Sequence, residues 1–297
     1  MKWKGREKSS NINDRRGARS YSSGGVGAAA LLRFVPLIYR ILGFKGLAAF
    51  AVVGGIYFYY QGGLPLNALS SDTSENQPAV VQSEEEKQHV DFISVMLRDT
   101  EITWEQLFQK QGNTYKQPTL VLYRGSTSSA CGAGSAAMGP FYCPADQHIY
   151  IDLSFYDELA SRHGAPGDFA QAYVLAHEVG HHVQTLLGIS RKVHTLKSKS
   201  TDVVRNQLSV MQELQADCFA GIWGFYAKNH REMLDKDDLG EALVAAAAIG
   251  DDTLQRQAQG KVVPDSFTHG SADQRKKWFQ IGFNEGSIDA CNTFNNL

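Results

Sequence analysis

The chain has 297 residues, enough for one good-sized domain, or two small ones, with accessory segments. Hydrophobic residues make up 43% and charged residues 20%, which excludes a chain disordered throughout and leaves a folded body with a real core. The net charge of −2 hides an asymmetry: residues 1–45 hold ten basic side chains and two acidic ones. A basic tail ahead of an acidic body points to a membrane or a nucleic acid. The tail is short, has no domain of its own and abuts an apolar stretch, so a nucleic-acid partner is set aside.

In chain order, residues 1–30 are polar, basic and rich in Gly and Ser, and read as disordered. Residues 1–40 are taken as a basic cytoplasmic tail. Residues 41–60 follow, uncharged from Gly46 to Tyr60 with Lys45 near the start. Twenty residues at about 1.5 Å each span roughly the 30 Å of a hydrocarbon core. Lys45 can snorkel to the headgroups, and Tyr57 to Tyr60 would form an aromatic belt. The expectation is one uncleaved transmembrane helix. By the positive-inside rule the N-terminus is cytoplasmic and the body extracytoplasmic. A cleaved signal peptide fits less well: its basic region would be over forty residues long, and no A-x-A site follows Tyr60.

Residues 61–83 read as a linker and residues 84–297 as the functional domain. A helix is expected from Glu84, with Val90, Ile93 and Leu97 on one face and three acids in its first turn. Thr103–Gln109 reads as a second, short helix. Thr119–Tyr123 and His148–Leu153 read as strands around a Gly-, Ser- and Ala-rich loop. From Asp168 the pattern is helical: Asp168–Leu187 ended by Gly188, then Asp202–Lys228, Asp238–Gln257 and Ala272–Asn284. The fold class is α+β, a small sheet followed by a mostly helical domain.

The four cysteines, Cys131, Cys143, Cys218 and Cys291, all follow the apolar segment. An even number in an exported body fits two disulfides. Cys131 and Cys143 are close in sequence, so the expected pairs are Cys131–Cys143 and Cys218–Cys291. No CxxC spacing supports zinc binding by these thiols.

The chemistry concentrates in Tyr173–Gln184, YVLAHEVGHHVQ, which contains His177-Glu178-x-x-His181. Residues four apart share one helical face, so two imidazoles can converge on one Zn²⁺. Glu178 would be the general base. A third ligand is still needed. The extended HExxHxxGxxH pattern fails, since Gln184 and Leu187 occupy those positions. The next helix offers Glu213 and Asp217, again four apart, in the apolar stretch ELQADCFAGIWGFY. Buried carboxylates need partners. Glu213 can bind the metal, and Asp217 can hold the free N–H of a liganding imidazole. Cys218 falls about 140° around the helix from Glu213, away from the metal, as a disulfide cysteine would.

HEVGHH and ELQADCFAG, with GPFYCPADQHIYIDLSF (Gly139–Phe155) and HGSADQR (His269–Arg275), resemble the bacterial neutral zinc metallopeptidase family. The resemblance spans nearly the whole chain. It implies a single-pass membrane protein with a gluzincin-like site: His177, His181 and Glu213 as zinc ligands and Glu178 as catalytic base. His269, ahead of the last helix, is a candidate to stabilise the oxyanion, with a surface or capping role equally open. His182 reads as structural, His148 as unrelated to metal, and His89, His163, His194 and His230 as surface residues. The expected activity is zinc-dependent hydrolysis of peptide bonds in a peptide or protein substrate. The alternative is a non-catalytic, zinc-stabilised binding or scaffold domain of the cell envelope.

Overall fold

The computed structural model describes residues 1–17 and 83–294. The expected membrane span at 41–60 lies outside the described residues, as does the linker up to residue 82. None of the described helices is long and apolar enough to cross a membrane.

The chain opens with strand β1 (Ile12–Asp14), which pairs in parallel with β2 (Thr119–Tyr123). The disorder expected for residues 1–30 is therefore corrected for residues 1–17. Ser9 and Arg16 are buried, and Ser9 Oγ donates to Glu101 at 2.6 Å. Arg16 Nη2 donates to Asp14 at 2.6 Å and Nη1 pairs with Glu86 at 2.7 Å. Several of the basic side chains counted above thus neutralise the body rather than forming a free charged tail. Because β1 and β2 are hydrogen-bonded neighbours, residues 12–14 and the body belong to one folded unit.

Helix α1 (Glu84–Lys110) is one continuous element, not two. Ser83 caps it by accepting from Glu86 N at 3.1 Å, and Glu84 to Glu86 sit at its positive end. The polar mid-helix residues that looked like a break are buried and satisfied. Asp99 accepts from Trp223 Nε1 and Arg231 Nη2, both at 2.7 Å, and Thr103 accepts from Arg231 at 2.7 Å. With those groups paired and no Gly or Pro present, the helix continues.

Strand β2 runs parallel to β6 (His148–Asp152), and β6 pairs antiparallel with β5 (Phe141–Cys143). The sheet order is β1-β2-β6-β5, which leaves β5 at an edge. Alternation sorts the side chains. Leu120, Leu122, Ile149 and Ile151 face the helical core, while Val121, Tyr123 and Tyr150 form a smaller cluster with Cys143. Each buried aliphatic or aromatic side chain here contributes roughly 1.5–3 kcal/mol. The Gly- and Ser-rich loop folds as a hairpin, β3 (Ser126–Ser129) and β4 (Gly132–Ser135). It lies against Phe141: a Cβ at Gly134 would meet that ring at 2.5 Å. The Cys131–Cys143 disulfide fastens this hairpin to the edge strand, as expected.

The helices follow in order: α2 (Ser154–Ser161), α3 (Asp168–Leu186), α4 (Ile189–Lys197), α5 (Asp202–Asn229), α6 (Asp238–Ala248), α7 (Asp251–Gln259) and α8 (Ala272–Glu285). The helix expected over 238–257 is two helices broken at Gly250. There the backbone runs against α8, and a Cβ would meet Ala272 N at 2.5 Å. Close backbone contact also sets α3 on α5: a Cβ on Gly180 would lie 2.9 Å from Ala216 O. Gly282 of α8 likewise has no room for a Cβ against the Cys218 carbonyl of α5. The Cys218–Cys291 disulfide, spanning 73 residues, ties α5 to the C-terminal segment, as expected. A loop of that size contributes about 4 kcal/mol in the chain-entropy picture. The observed class is α+β, mostly helical, as expected for the described residues.

Candidate metal centre

Helices α3 and α5 cross where Gly180 permits close approach, and this crossing builds the site. The α3 residues His177 and His181, four apart, turn their rings to one side with centroids 4.8 Å apart. Glu213 of α5 faces them. One carboxylate oxygen, Oε2, lies 3.1 Å from His177 Nε2 and 3.4 Å from His181 Nε2. Each of the three residues offers a ligand atom within 4.8 Å of the others.

The outer nitrogens are engaged elsewhere. His177 Nδ1 lies 2.8 Å from Asp217 Oδ1. Asp217 also accepts from Arg275 and Tyr173, and its carboxylate has no proton to give, so Nδ1 is the donor. His181 Nδ1 lies 3.0 Å from Gln184 Oε1. Gln184 Nε2 donates to Gln212 O at 2.6 Å and to Gln215 Oε1 at 3.1 Å, which fixes the amide so that its oxygen faces the imidazole. Both rings are thereby held through Nδ1, which leaves each Nε2 facing Glu213 as the atom that would bind a metal.

This donor set fits zinc. Bonds of about 2.0–2.1 Å in a tetrahedron place donor atoms about 3.3 Å apart, close to the separations found. In the metal-free protein, protons hold the site together. Burial disfavours a charged His177, but Asp217 and Glu213 outweigh it and raise it to about 10. Burial also works against the Glu213 and Asp217 carboxylates. Yet His181 and His177 pull Glu213 well below the ordinary range, and Arg275 with His177 draws Asp217 to about 2.

Glu178 occupies a different position. It is buried to 7% exposure, faces the cleft, and has no hydrogen-bond partner among the described residues. Burial raises its pKa, with His181 and His177 opposing. A carboxylate that is desolvated, unpaired and beside the histidines is available to move a proton. The cleft it faces encloses about 1260 Å³. Its walls include edge strand β5, α2, α4 and the turn before α8.

The residues matched to a family model described as "Putative neutral zinc metallopeptidase" run from 1 to 294. The chain belongs to this family. The match begins at residue 1, so β1 lies within the family's pattern. The uncharacterized protein YpfJ of Escherichia coli K12 is 50% identical over 297 residues, covering 99% of each chain. The uncharacterized protein Rv2575 of Mycobacterium tuberculosis H37Rv is 42% identical over 191 residues, covering 61% of this chain and 63% of that one. No solved structure matches.

Of the residues singled out from sequence, His177, Glu178, His181, Glu213 and Asp217 come together. His269 lines the same cleft, but its side chain is 52% exposed and its Nδ1 lies 3.2 Å from Asp251. No contact joins it to the histidine pair or Glu213 among the described residues. His182 is fully buried, held by Tyr142 Oη at 3.1 Å and Lys116 O at 2.6 Å, the structural role expected. His163 and His194 were read as plain surface residues, yet both line the cleft.

Three supporting residues escaped the sequence reading. Tyr173 stands one turn before His177 on the same face, and its hydroxyl donates to Asp217 at 2.6 Å. Gln184 stands three residues after His181. Arg275 of α8 donates to both Asp217 oxygens, at 2.8 and 2.9 Å, and to Ile249 O at 3.1 Å. For Tyr173 and Gln184 the signal was the i±3 or i±4 spacing from a histidine. For Arg275 it was only a cation one turn into a capped helix.

Proposed function

We propose that this protein is a membrane-attached zinc metallopeptidase in which His177, His181 and Glu213 hold the metal and Glu178 is the catalytic base. One observation carries the reading: the Nε2 atoms of two histidines and a carboxylate oxygen converge, with an unpaired Glu178 beside them on an open cleft. Bound there, zinc supplies Lewis-acid activation of a water molecule and of the scissile carbonyl. Glu178 takes the proton released in the attack and returns it to the leaving amine. Asp217, through His177 Nδ1, keeps that imidazole oriented throughout. Strand β5 leaves its outer edge unpaired along the cleft, which suits an extended peptide added as a further strand. His269, on the cleft wall, is a secondary candidate for oxyanion contact.

The test uses the full-length protein with zinc measured by elemental analysis and cleavage of a mixed peptide pool read by mass spectrometry. One zinc per chain is expected, with cleavage abolished by a chelator and restored by zinc. Zinc bound with no cleavage of any peptide would favour a zinc-stabilised binding domain instead.

Attachment to the membrane is supported by the uncharged run Gly46–Tyr60. Residues 1–17 and the body share a sheet, and the body carries two disulfides. We place both outside the cytoplasm, where disulfides persist. Lys4→Cys and Lys261→Cys, each at an exposed position, report on this in intact bacterial cells. An impermeant thiol reagent should label both. Labelling at 261 but not at 4 would contradict the shared compartment.

A further inference from the structure

One helix face beside the site carries charge that nothing in the fold uses. Helix α4 begins immediately after Gly188, which ends α3 in a left-handed turn at φ 75°. Its first turn is tied to the metal helix: Thr185 Oγ1 donates to His181 O at 3.1 Å and to Ser190 Oγ at 3.2 Å. Arg191, His194 and Lys197 then follow at intervals of three, on one side of the helix, and all three line the cleft. Val193, four residues before Lys197, is the buried residue by which α4 packs on the body.

The charges are unmatched. Among the described residues, no hydrogen bond or ion pair engages the side chains of Arg191, His194 or Lys197. The other cations on the cleft are committed: Arg162 pairs with Glu158 at 3.6 Å, and Arg275 pairs with Asp217. The remaining carboxylates of the cleft are Glu178 and Glu213, which the metal and the proton transfer occupy. Lys197 is half-buried and lies within electrostatic reach of Glu213, so the stripe ends toward the metal site. Lys192, also on α4, does not line the cleft.

We infer that the Arg191–His194–Lys197 face of α4 binds a carboxylate of the substrate, so that the enzyme selects peptides with an acidic group beside the scissile bond. The inference rests on the peptidase reading of the same cleft. Charge complementarity of this kind fixes register and partner choice more than raw affinity. The carboxylate has two sources, an Asp or Glu side chain or the C-terminus of a short peptide.

The test uses full-length, zinc-loaded protein and matched peptides. One pair differs by Glu against Gln beside the cleavage position. A second pair differs by a free against an amidated C-terminus. Two readouts are taken: kcat/KM on wild type, and the dissociation constant on Glu178→Gln, which holds peptide without cutting. The carboxylate member of one pair should be preferred roughly tenfold, and the pair that shows it identifies the source. Arg191→Glu with Lys197→Glu should remove that preference, while Lys192→Glu should keep it. Raising salt to about 0.5 M should shrink the preference in the unmodified protein, a check independent of any substitution. A ratio near one in wild type, or a ratio that survives the double reversal, overturns the inference. Absence of any hydrolysis would count against the peptidase reading, and the dissociation constants would still decide the carboxylate site.

Discussion

Glu178→Gln should leave zinc in place and lower kcat by roughly 10²–10⁴-fold, the range for losing a positioned general base. The substitution is nearly isosteric. Glu178 makes no hydrogen bond among the described residues, so the fold loses no partner by it. Gln keeps the shape of the side chain and removes the proton acceptor together with its charge. KM should change little, since the lost interaction belongs to the transition state. Zinc content and steady-state kinetics on the same preparation check this. Loss of zinc would mean that Glu178 is a ligand. Unchanged kcat would mean that the proton goes elsewhere.

Arg275→Ala should cost about 3–5 kcal/mol of stability, the cost of stripping one partner from a buried ion pair. Asp217 is fully buried and receives both Arg275 donors. Without the guanidinium it keeps only Tyr173 and His177 to offset its charge. The damage should reach the metal as well. An Asp217 left unpaired shifts or takes up a proton and no longer holds His177 Nδ1–H. Zinc affinity should then fall about 10–100-fold, as for other outer partners of metal-bound histidines. Denaturant melts of the metal-free protein separate the first effect, and competition with a zinc chelator the second. Arg275→Lys should restore part of the stability but not both hydrogen bonds, since a single ammonium cannot reproduce the planar fork. Full zinc affinity in Arg275→Ala would show that Asp217 does not need this support.

The core of the site was legible because helical spacing is rigid. His177 and His181 had to share a face, and so did Glu213 and Asp217. Two carboxylates in the apolar run around Phe219 and Trp223 needed something to neutralise them. The disulfides followed from proximity alone. What escaped depended on distant chain. Ile12–Asp14 contains Asn and Asp, poor strand formers, within a basic stretch. It becomes a strand only because β2 offers it a free edge and Glu86 and Glu101 receive its flanking polar groups. The break at Gly250 was invisible for the same reason, since the obstacle is Ala272, twenty-two positions later. Arg275 carried no local mark of its partner 58 residues earlier. His194 of α4 carries no local pattern, and only the cleft beside it sets it in a row with Arg191 and Lys197.

The most direct test of the account is a crystal structure of the zinc-loaded protein with data collected across the zinc absorption edge. The account predicts one anomalous peak about 2.0–2.1 Å from His177 Nε2, His181 Nε2 and a Glu213 oxygen, with the remaining position open to the cleft and facing Glu178. A peak elsewhere, or a fourth protein ligand closing the site, would contradict it.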